Sequence, residues 1–360
     1  MGFVRFFLAA SVVIGHAPAH FGFKLLPDTM AVEVFFIISG FYMSMILTEK
    51  YTAQNWRGRV DFYCSRFFRL WPVFIITTVL TLLFDALVTL YLGHEPMASG
   101  DIRGAINNDF LYGLFQLSNL TMIGQDVPYW FHASPATGMH FTLGPPETLA
   151  DGSLFSGSVL LIGPAWSIGA EIWFYLLAPF LVVLRSRWIV LIAIASAALK
   201  IWLSTHGLIA YFFFPAQVGM FAIGMLAQRA GINLLPRTPA LALLGVGSVL
   251  IGAVAYSVID NVSANYAWIM YLVFAAALPS LFTLTKSWEF DRKLGELSYP
   301  IYLTHMLVMY AVSLIGKRVG LFEYGEVVLV ASTALGWILF TWVETPVNRW
   351  RARFAKRQPS

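Results

Sequence analysis

Residues 239–258 read PALALLGVGSVLIGAVAYSV, and this stretch decides the fold. It is almost wholly apolar and contains no Asp, Glu, Lys or Arg. A helix crossing the ~30 Å hydrocarbon layer needs about 20 such residues. A strand does not fit, because the apolar run is too long and does not alternate. Turn and charge signals close it at both ends, Pro236-Arg237-Thr238-Pro239 before and Asp260-Asn261 after.

The same pattern recurs along the chain. Ten segments read as spans: 3–21, 30–48, 67–91, 160–184, 188–205, 208–227, 239–258, 266–285, 298–315 and 326–343. The expected fold is an all-α polytopic membrane helix bundle of about ten transmembrane helices. Composition agrees. Of 360 residues, 58% are hydrophobic and 12% charged, with mean hydropathy +0.71. A soluble domain carries about 25% charge, so a soluble fold and disorder are both excluded. Aromatics reach 16%, including 30 Phe and 12 Trp, which suits helices facing lipid and its interface. The net charge of +4 is too small to argue for nucleic acid. The one cysteine, Cys64, excludes an internal disulfide and a thiolate metal cluster. The first apolar segment carries Arg5, His16 and His20 and reads as a retained helix, not a cleavable signal.

Lys and Arg set the orientation. With the N-terminus inside and the spans alternating, 18 of the 23 basic residues fall on the cytoplasmic side. Lys24, Arg103, Lys200, Lys317 and Arg318 fall outside. This bias puts both termini in the cytoplasm. Residues 1–346 then form the membrane domain, and 347–360 a basic cytoplasmic tail suited to an anionic membrane surface. Residues 93–159 form one long extracytoplasmic loop. Its stretch from Phe110 to Ile123 is too short and polar to span and suits an interfacial or re-entrant segment. The following 124–157 is rich in Gly, Pro and aromatics and contains His132 and His140, which suits an ordered lid.

Ionisable residues at membrane depth are costly and mark function. Arg5 and His16 are eleven positions apart on one helix face, about 16 Å along the axis. That places Arg5 at the cytoplasmic entry and His16 near mid-membrane. A snorkelling arginine with a structural histidine would give the same letters. Arg66 and Arg69 open the third span three apart, facing nearly the same way, and arginine suits bidentate phosphate contact. Plain positive-inside anchoring would also place them there. Glu33 and Glu171 fall near the outer ends of spans two and four, and Tyr175 shares the face of Glu171. Either carboxylate could pair with His16 and hold its tautomer. Each would also complement a helix dipole. His305 lies two turns into span nine, facing the bundle interior. Asp85 and Lys200 are embedded but join no constellation. Glu344 before Pro346 reads as structural. No Gly-rich phosphate loop, Gly-x-Ser-x-Gly elbow or His-Glu-x-x-His motif occurs, so no metal is expected. What remains is acid–base work by a buried histidine, with arginines holding an anionic co-substrate.

Together these stretches resemble the acyltransferase-3 family of bacterial multi-pass membrane acyltransferases. Its Arg-x10-His is Arg5 and His16, and its Arg-x-x-Arg is Arg66 and Arg69. Its Phe-Phe-x-x-Ser-Gly-Phe is Phe35 to Phe41, and its Trp-Ser-x-x-x-Glu-x-x-x-Tyr is Trp166 to Tyr175. Its Gly-x-x-Ser-Tyr-x-x-Tyr-Leu-x-His is Gly295 to His305, and its Glu-x-Pro is Glu344 to Pro346. Glu33 departs from the pattern, since many members have Asp there. A soluble esterase-like domain, which some members add after the bundle, is not expected.

The resemblance implies transfer of an acyl group, usually acetyl, from cytoplasmic acyl-CoA at a bacterial inner membrane. The acceptor would be a hydroxyl of an envelope glycan or lipid-linked saccharide, such as exopolysaccharide or the O-antigen of lipopolysaccharide. Arg5, Arg66 and Arg69 would hold the acetyl-CoA phosphates. His16 would be the general base, with Glu171 or Glu33 orienting it, or would carry the acyl group transiently. His305 joins them as a catalytic candidate, and Ser39, Trp166 and Tyr175 as substrate contacts. The residues leave two rival readings open. One is a transporter or flippase for a glycan or lipid-linked sugar, since embedded Arg, His and Glu are common there. The other is a noncatalytic membrane scaffold. The acceptor and the oligomeric state are not legible.

Overall fold

The computed structural model describes residues 1–17, 22, 24–51, 56–93, 106, 108–134, 138–144, 154–233, 237–258, 264–319 and 325–355. His20, Arg103, Pro236, Asp260-Asn261 and the tail from Lys356 lie outside the described residues. Twelve α-helices are used below. They are α1 (Gly2–His16), α2 (Asp28–Glu49), α3 (Trp56–Leu92), α4 (Asp109–Thr121), α5 (Trp166–Leu181) and α6 (Ser186–Thr205). Then come α7 (Phe214–Asn233), α8 (Pro239–Val258), α9 (Ala264–Thr285), α10 (Glu289–Val319), α11 (Gly325–Leu339) and α12 (Thr345–Ala355). The chain packs as two compact units, one of residues 1–65, 178–193 and 220–360, the other of 66–177 and 194–219.

The stretch 239–258 forms α8 and shows the membrane pattern directly. Ala242, Gly245, Val249, Gly252 and Ala253 face inward, whereas Leu243, Leu244, Ile251, Val254 and Val258 are exposed. Small residues inside and large apolar ones outside is the arrangement of a helix packed on one face and solvated by lipid on the other. Among the described residues seven helices are long and apolar enough to cross a membrane: α2, α3, α6, α8, α9, α10, and α11 with its continuation. Buried share separates them: 78% of the apolar window of α2 is buried but only 22% of that of α6. α2 is therefore far more enclosed than α6.

Three of the ten expected spans fall outside this set. α1 and α5 have 15 and 16 residues, about 22–24 Å of helix, short of the ~30 Å layer. α7 forms at 214–233, displaced from the expected 208–227. Two other boundaries move far enough to matter. α3 begins at Trp56, eleven residues before the expected 67, and α10 begins at Glu289, nine before 298. α11 is followed by a π-helical turn, Phe340–Glu344, and then by α12. In α12, Arg351 Nη1 donates to the Ser65 carbonyl of α3 at 2.9 Å, tying the basic segment to the bundle.

Within the first unit, contacts give the helix directions. Gly2 meets Asp291 and His16 meets His305, so α1 and α10 run parallel. Glu33 meets Tyr271 and Phe41 meets Phe282, so α2 and α9 run parallel. α2 and α7 touch backbone to backbone: a Cβ on Gly40 would lie 2.0 Å from the Phe221 carbonyl, and one on Gly224 1.9 Å from that of Ile37. Ser44 Oγ donates to Gln228 Oε1 at 2.9 Å one turn further on. Helices of equal parity in the expected alternation thus run the same way. α1, α10 and α11 share a core that includes Ala9, Val13, Leu297, Ile301, Val328 and Phe340.

In the second unit, the loop 93–159 contains regular structure that the sequence reading leaves out. The stretch 110–123 forms α4, thirteen residues and far too short to span. Beyond it β1 (Phe131–Ser134), β2 (Gly138–Phe141) and β3 (Leu154–Phe155) form a three-stranded antiparallel sheet in the order β2-β1-β3. His132 and His140 are paired directly across β1 and β2.

Candidate active site

The histidines of α1 and α10 meet. Their ring centroids are 5.1 Å apart, tilted by 57°. His16 is the last residue of α1 and is exposed. The helix stops there because Ala17 precedes Pro18, which disfavours the helical region; Ala17 has φ −122 and ψ 107. His16 Nδ1 lies 2.9 Å from the Val12 carbonyl. A carbonyl only accepts, so Nδ1 carries the proton and the neutral ring presents its lone pair at Nε2. His305 is held the same way, with Nδ1 donating to the Tyr302 carbonyl at 2.6 Å. His305 is fully buried, and its Nε2 has no hydrogen-bond partner among the described residues. The pair therefore joins one accessible basic nitrogen to one buried basic nitrogen.

The far end of α1 is fixed by a residue that the sequence reading missed. Asp291, in the first turn of α10, accepts from the backbone N–H groups of Gly2 at 2.7 Å and Phe3 at 2.8 Å. The Met1 amino group pairs with it at 2.6 Å. It caps the N-terminus of α1 from a neighbouring helix and complements the dipole. The backbones touch here: a Cβ on Gly295 would lie 2.7 Å from Gly2 Cα and 3.7 Å from an Arg5 guanidinium nitrogen. Arg5 thus lies beside α10, eleven residues or about 16 Å from His16. We expect Asp291→Ala to cost about 1–3 kcal/mol of stability, read as a lower melting temperature of the purified chain, with Asp291→Asn in between.

Glu33 is buried on α2 and accepts from Tyr271 Oη of α9 at 2.6 Å. Ser39, on the same helix, is also buried. The second unit holds the other expected residues. Because α3 starts at Trp56, Arg66 and Arg69 lie about 15 and 20 Å into it, not at its opening. Arg66 is 7% exposed. On α5, Tyr175 donates its hydroxyl to Glu171 one turn earlier. Both guanidiniums act electrostatically on Tyr175. Arg66, Arg69, Tyr175 and Glu171 thus share one neighbourhood. Trp166 opens α5 and is buried in an aromatic cluster, 4.5 Å from Tyr211 and 4.9 Å from Phe212. No group of three or more His, Cys, Asp or Glu that could hold a metal occurs among the described residues.

Residues 1–343 match the acyltransferase-3 family, described as an acyltransferase domain. Nodulation protein 10 of Rhizobium leguminosarum bv. viciae is 26% identical, with 99% of this chain and 95% of the relative aligned. Protein 2 in the picA locus of Rhizobium radiobacter is 27% identical over 47% of this chain and 74% of its own. An uncharacterized protein of Aquifex aeolicus (strain VF5) is 27% identical over 53% of this chain and 89% of its own. No solved structure matches.

Proposed function

This chain belongs to the acyltransferase-3 family and is a multi-pass membrane acyltransferase, and from that premise we propose that it acylates a cell-envelope saccharide. The donor is a cytoplasmic acyl-CoA, acetyl-CoA first among them. The acceptor is a hydroxyl of an envelope glycan or lipid-linked saccharide, and the membrane is the bacterial inner membrane. The reading rests on the His16–His305 pair, in which an exposed histidine has its tautomer fixed by Val12 and its Nε2 lone pair open.

In this reading His16 Nε2 removes the proton of the acceptor hydroxyl as its oxygen attacks the thioester carbonyl. The C–S bond breaks, the acyl group passes to oxygen, and the coenzyme A thiolate takes up the proton from His16. His305 orients His16 from its buried side. Arg5, Arg66 and Arg69 hold the anionic end of the donor. Arg5 lies about 16 Å along α1 from His16, a span that a pantetheine arm can cover. Glu33 and Glu171, each held by a tyrosine, orient the histidine or the acceptor, with Ser39, Trp166 and Tyr175 around the saccharide.

The test uses the purified chain in lipid vesicles with acetyl-CoA and extracted envelope glycan. Coenzyme A thiol should appear only when chain and glycan are both present. Glycan movement across the vesicle without thiol release would instead support a transporter.

A further inference from the structure

A carboxyl that this mechanism does not use lies buried in the second unit. Asp126 ends the turn that joins α4 to the short helical turn 127–130, and its exposure is 0%. Its Oδ1 accepts from Trp173 Nε1 of α5 at 3.0 Å. Its Oδ2 is buried, with no hydrogen-bond partner among the described residues. The turn sits directly on α5 at Gly169. A Cβ there would lie 2.7 Å from both the backbone nitrogen and Oδ1 of Asp126, and 2.9 Å from the backbone nitrogen of Gln125. Gly169 is the gap in α5 that receives the turn.

The other side of the turn is tied down as well. Gln125 Nε2 donates to Ser118 Oγ at 3.1 Å and to Asn119 Oδ1 at 3.4 Å, both on α4. Asn119 in turn donates to the Val159 carbonyl at 3.0 Å and accepts from the Leu161 backbone N–H at 3.1 Å, just before α5 begins. The turn therefore clamps α4, the 159–161 segment and α5 into one assembly. Among the described residues no cation acts on this carboxyl, so an ionised carboxylate here would face a protein interior uncompensated and the neutral acid is the form that fits.

We infer that Asp126 is a positioning residue for acyl transfer: as a neutral acid it seats the 123–130 turn on α5 and so sets the placement of the helix that carries Glu171 and Tyr175. Trp173, which it holds, is two residues from both Glu171 and Tyr175. The inference rests on the proposed roles of those two residues. It also makes the loop sensitive to pH. Burial pushes the Asp126 carboxyl up to about 7, against the pull of its own backbone N–H and of Trp173. The ionisable groups on the packed elements are Tyr129 on the short turn, Glu171 and Tyr175 on α5, and Asp109 and Tyr112 on α4. None of them contributes to this protonation. The folded acid holds its proton more tightly than the unfolded one, so the clamp is strongest in acid. It weakens as pH rises from about 4 and is lost above about 7.

The test is hydrogen exchange over residues 122–130 of the purified full chain, corrected for intrinsic exchange rates, at pH 6.0 and 8.5. The wild-type turn should lose about ten-fold protection at the higher pH. Asp126→Asn, neutral at both, should keep it, and Asp126→Ala should be unprotected at both. Equal wild-type protection at the two pH values, or an Asn variant that follows the wild type, overturns the inference. The same proteins are then assayed for glycan acylation. Wild-type activity should fall above pH 7 and the Asn variant should not. An Asn variant with the wild-type pH profile also overturns the inference. Absence of wild-type acylation at every pH refutes the proposed function instead, and the exchange result stands apart from it.

Discussion

Replacing His16 with Ala is expected to lower acyl transfer by about 10²–10⁴-fold, the usual contribution of a general base. His16 ends α1 exposed, and the Val12 carbonyl fixes its proton on Nδ1, so the open nitrogen is the basic one. Its ring packs on His305, which is fully buried and held by the Tyr302 carbonyl. Being helix-terminal, His16 supports little of the core, so the variant should fold and keep its donor affinity. His305→Ala should lose less activity but more stability, since it empties a buried site. The rival chemistry, with His16 carrying the acyl group, separates cleanly. Rapid quenching of the purified chain with labelled acetyl-CoA and no acceptor should trap no acyl-enzyme. Label on His16 would show that His16 is the nucleophile.

The second large effect belongs to the arginines. Arg66→Ala/Arg69→Ala should abolish the thermal stabilisation that coenzyme A gives the parent chain. A charged hydrogen bond to phosphate contributes about 1.5–3 kcal/mol, so each arginine should cost about ten- to hundred-fold in donor affinity. Arg66 is buried, and removing it also disturbs the setting of Tyr175 and Glu171. The double Lys variant therefore serves as the control. It keeps both charges but loses the planar fork, and should bind weakly while melting near the parent temperature. A double Ala variant that binds coenzyme A as the parent does would move the donor site elsewhere.

The membrane fold was legible because lipid imposes a blunt rule on sequence. Residues 239–258 form α8 with the expected boundaries, since nothing but a helix satisfies twenty apolar positions there. The charged flanks were not legible. Residues 56–66 and 289–297 contain Arg57, Arg59, Asp61, Asp291, Arg292 and Lys293, and a hydropathy reading stops where they begin. Their backbone continues as helix all the same, which buries Arg66 within α3 and brings Asp291 onto α1. One signal was available for the second case: Glu289 and Asp291 are the acidic first turn that favours a helix start. The end of α1 was also readable from Ala17-Pro18.

The candidate site divides the same way. The Glu171–Tyr175 bond follows from i, i+4 spacing on one helix. The His16–His305 contact joins residues far apart in sequence and comes from the parallel register of α1 and α10, which Gly2 and Gly295 allow by letting the backbones touch. Asp126 carries no sequence signal at all. A Gly-Gln-Asp turn reads as exposed loop, and only the fit against Gly169 shows that it is buried.

The most direct test of acyl transfer through His16 is mass spectrometry of envelope glycans. The glycans come from cells carrying the wild-type chain, the His16→Ala variant, or a deletion. The account predicts one added acyl group, present with the wild type and absent from the other two. An unchanged acylation pattern, with only the amount or location of the glycan altered, would contradict it and leave His16 a structural histidine.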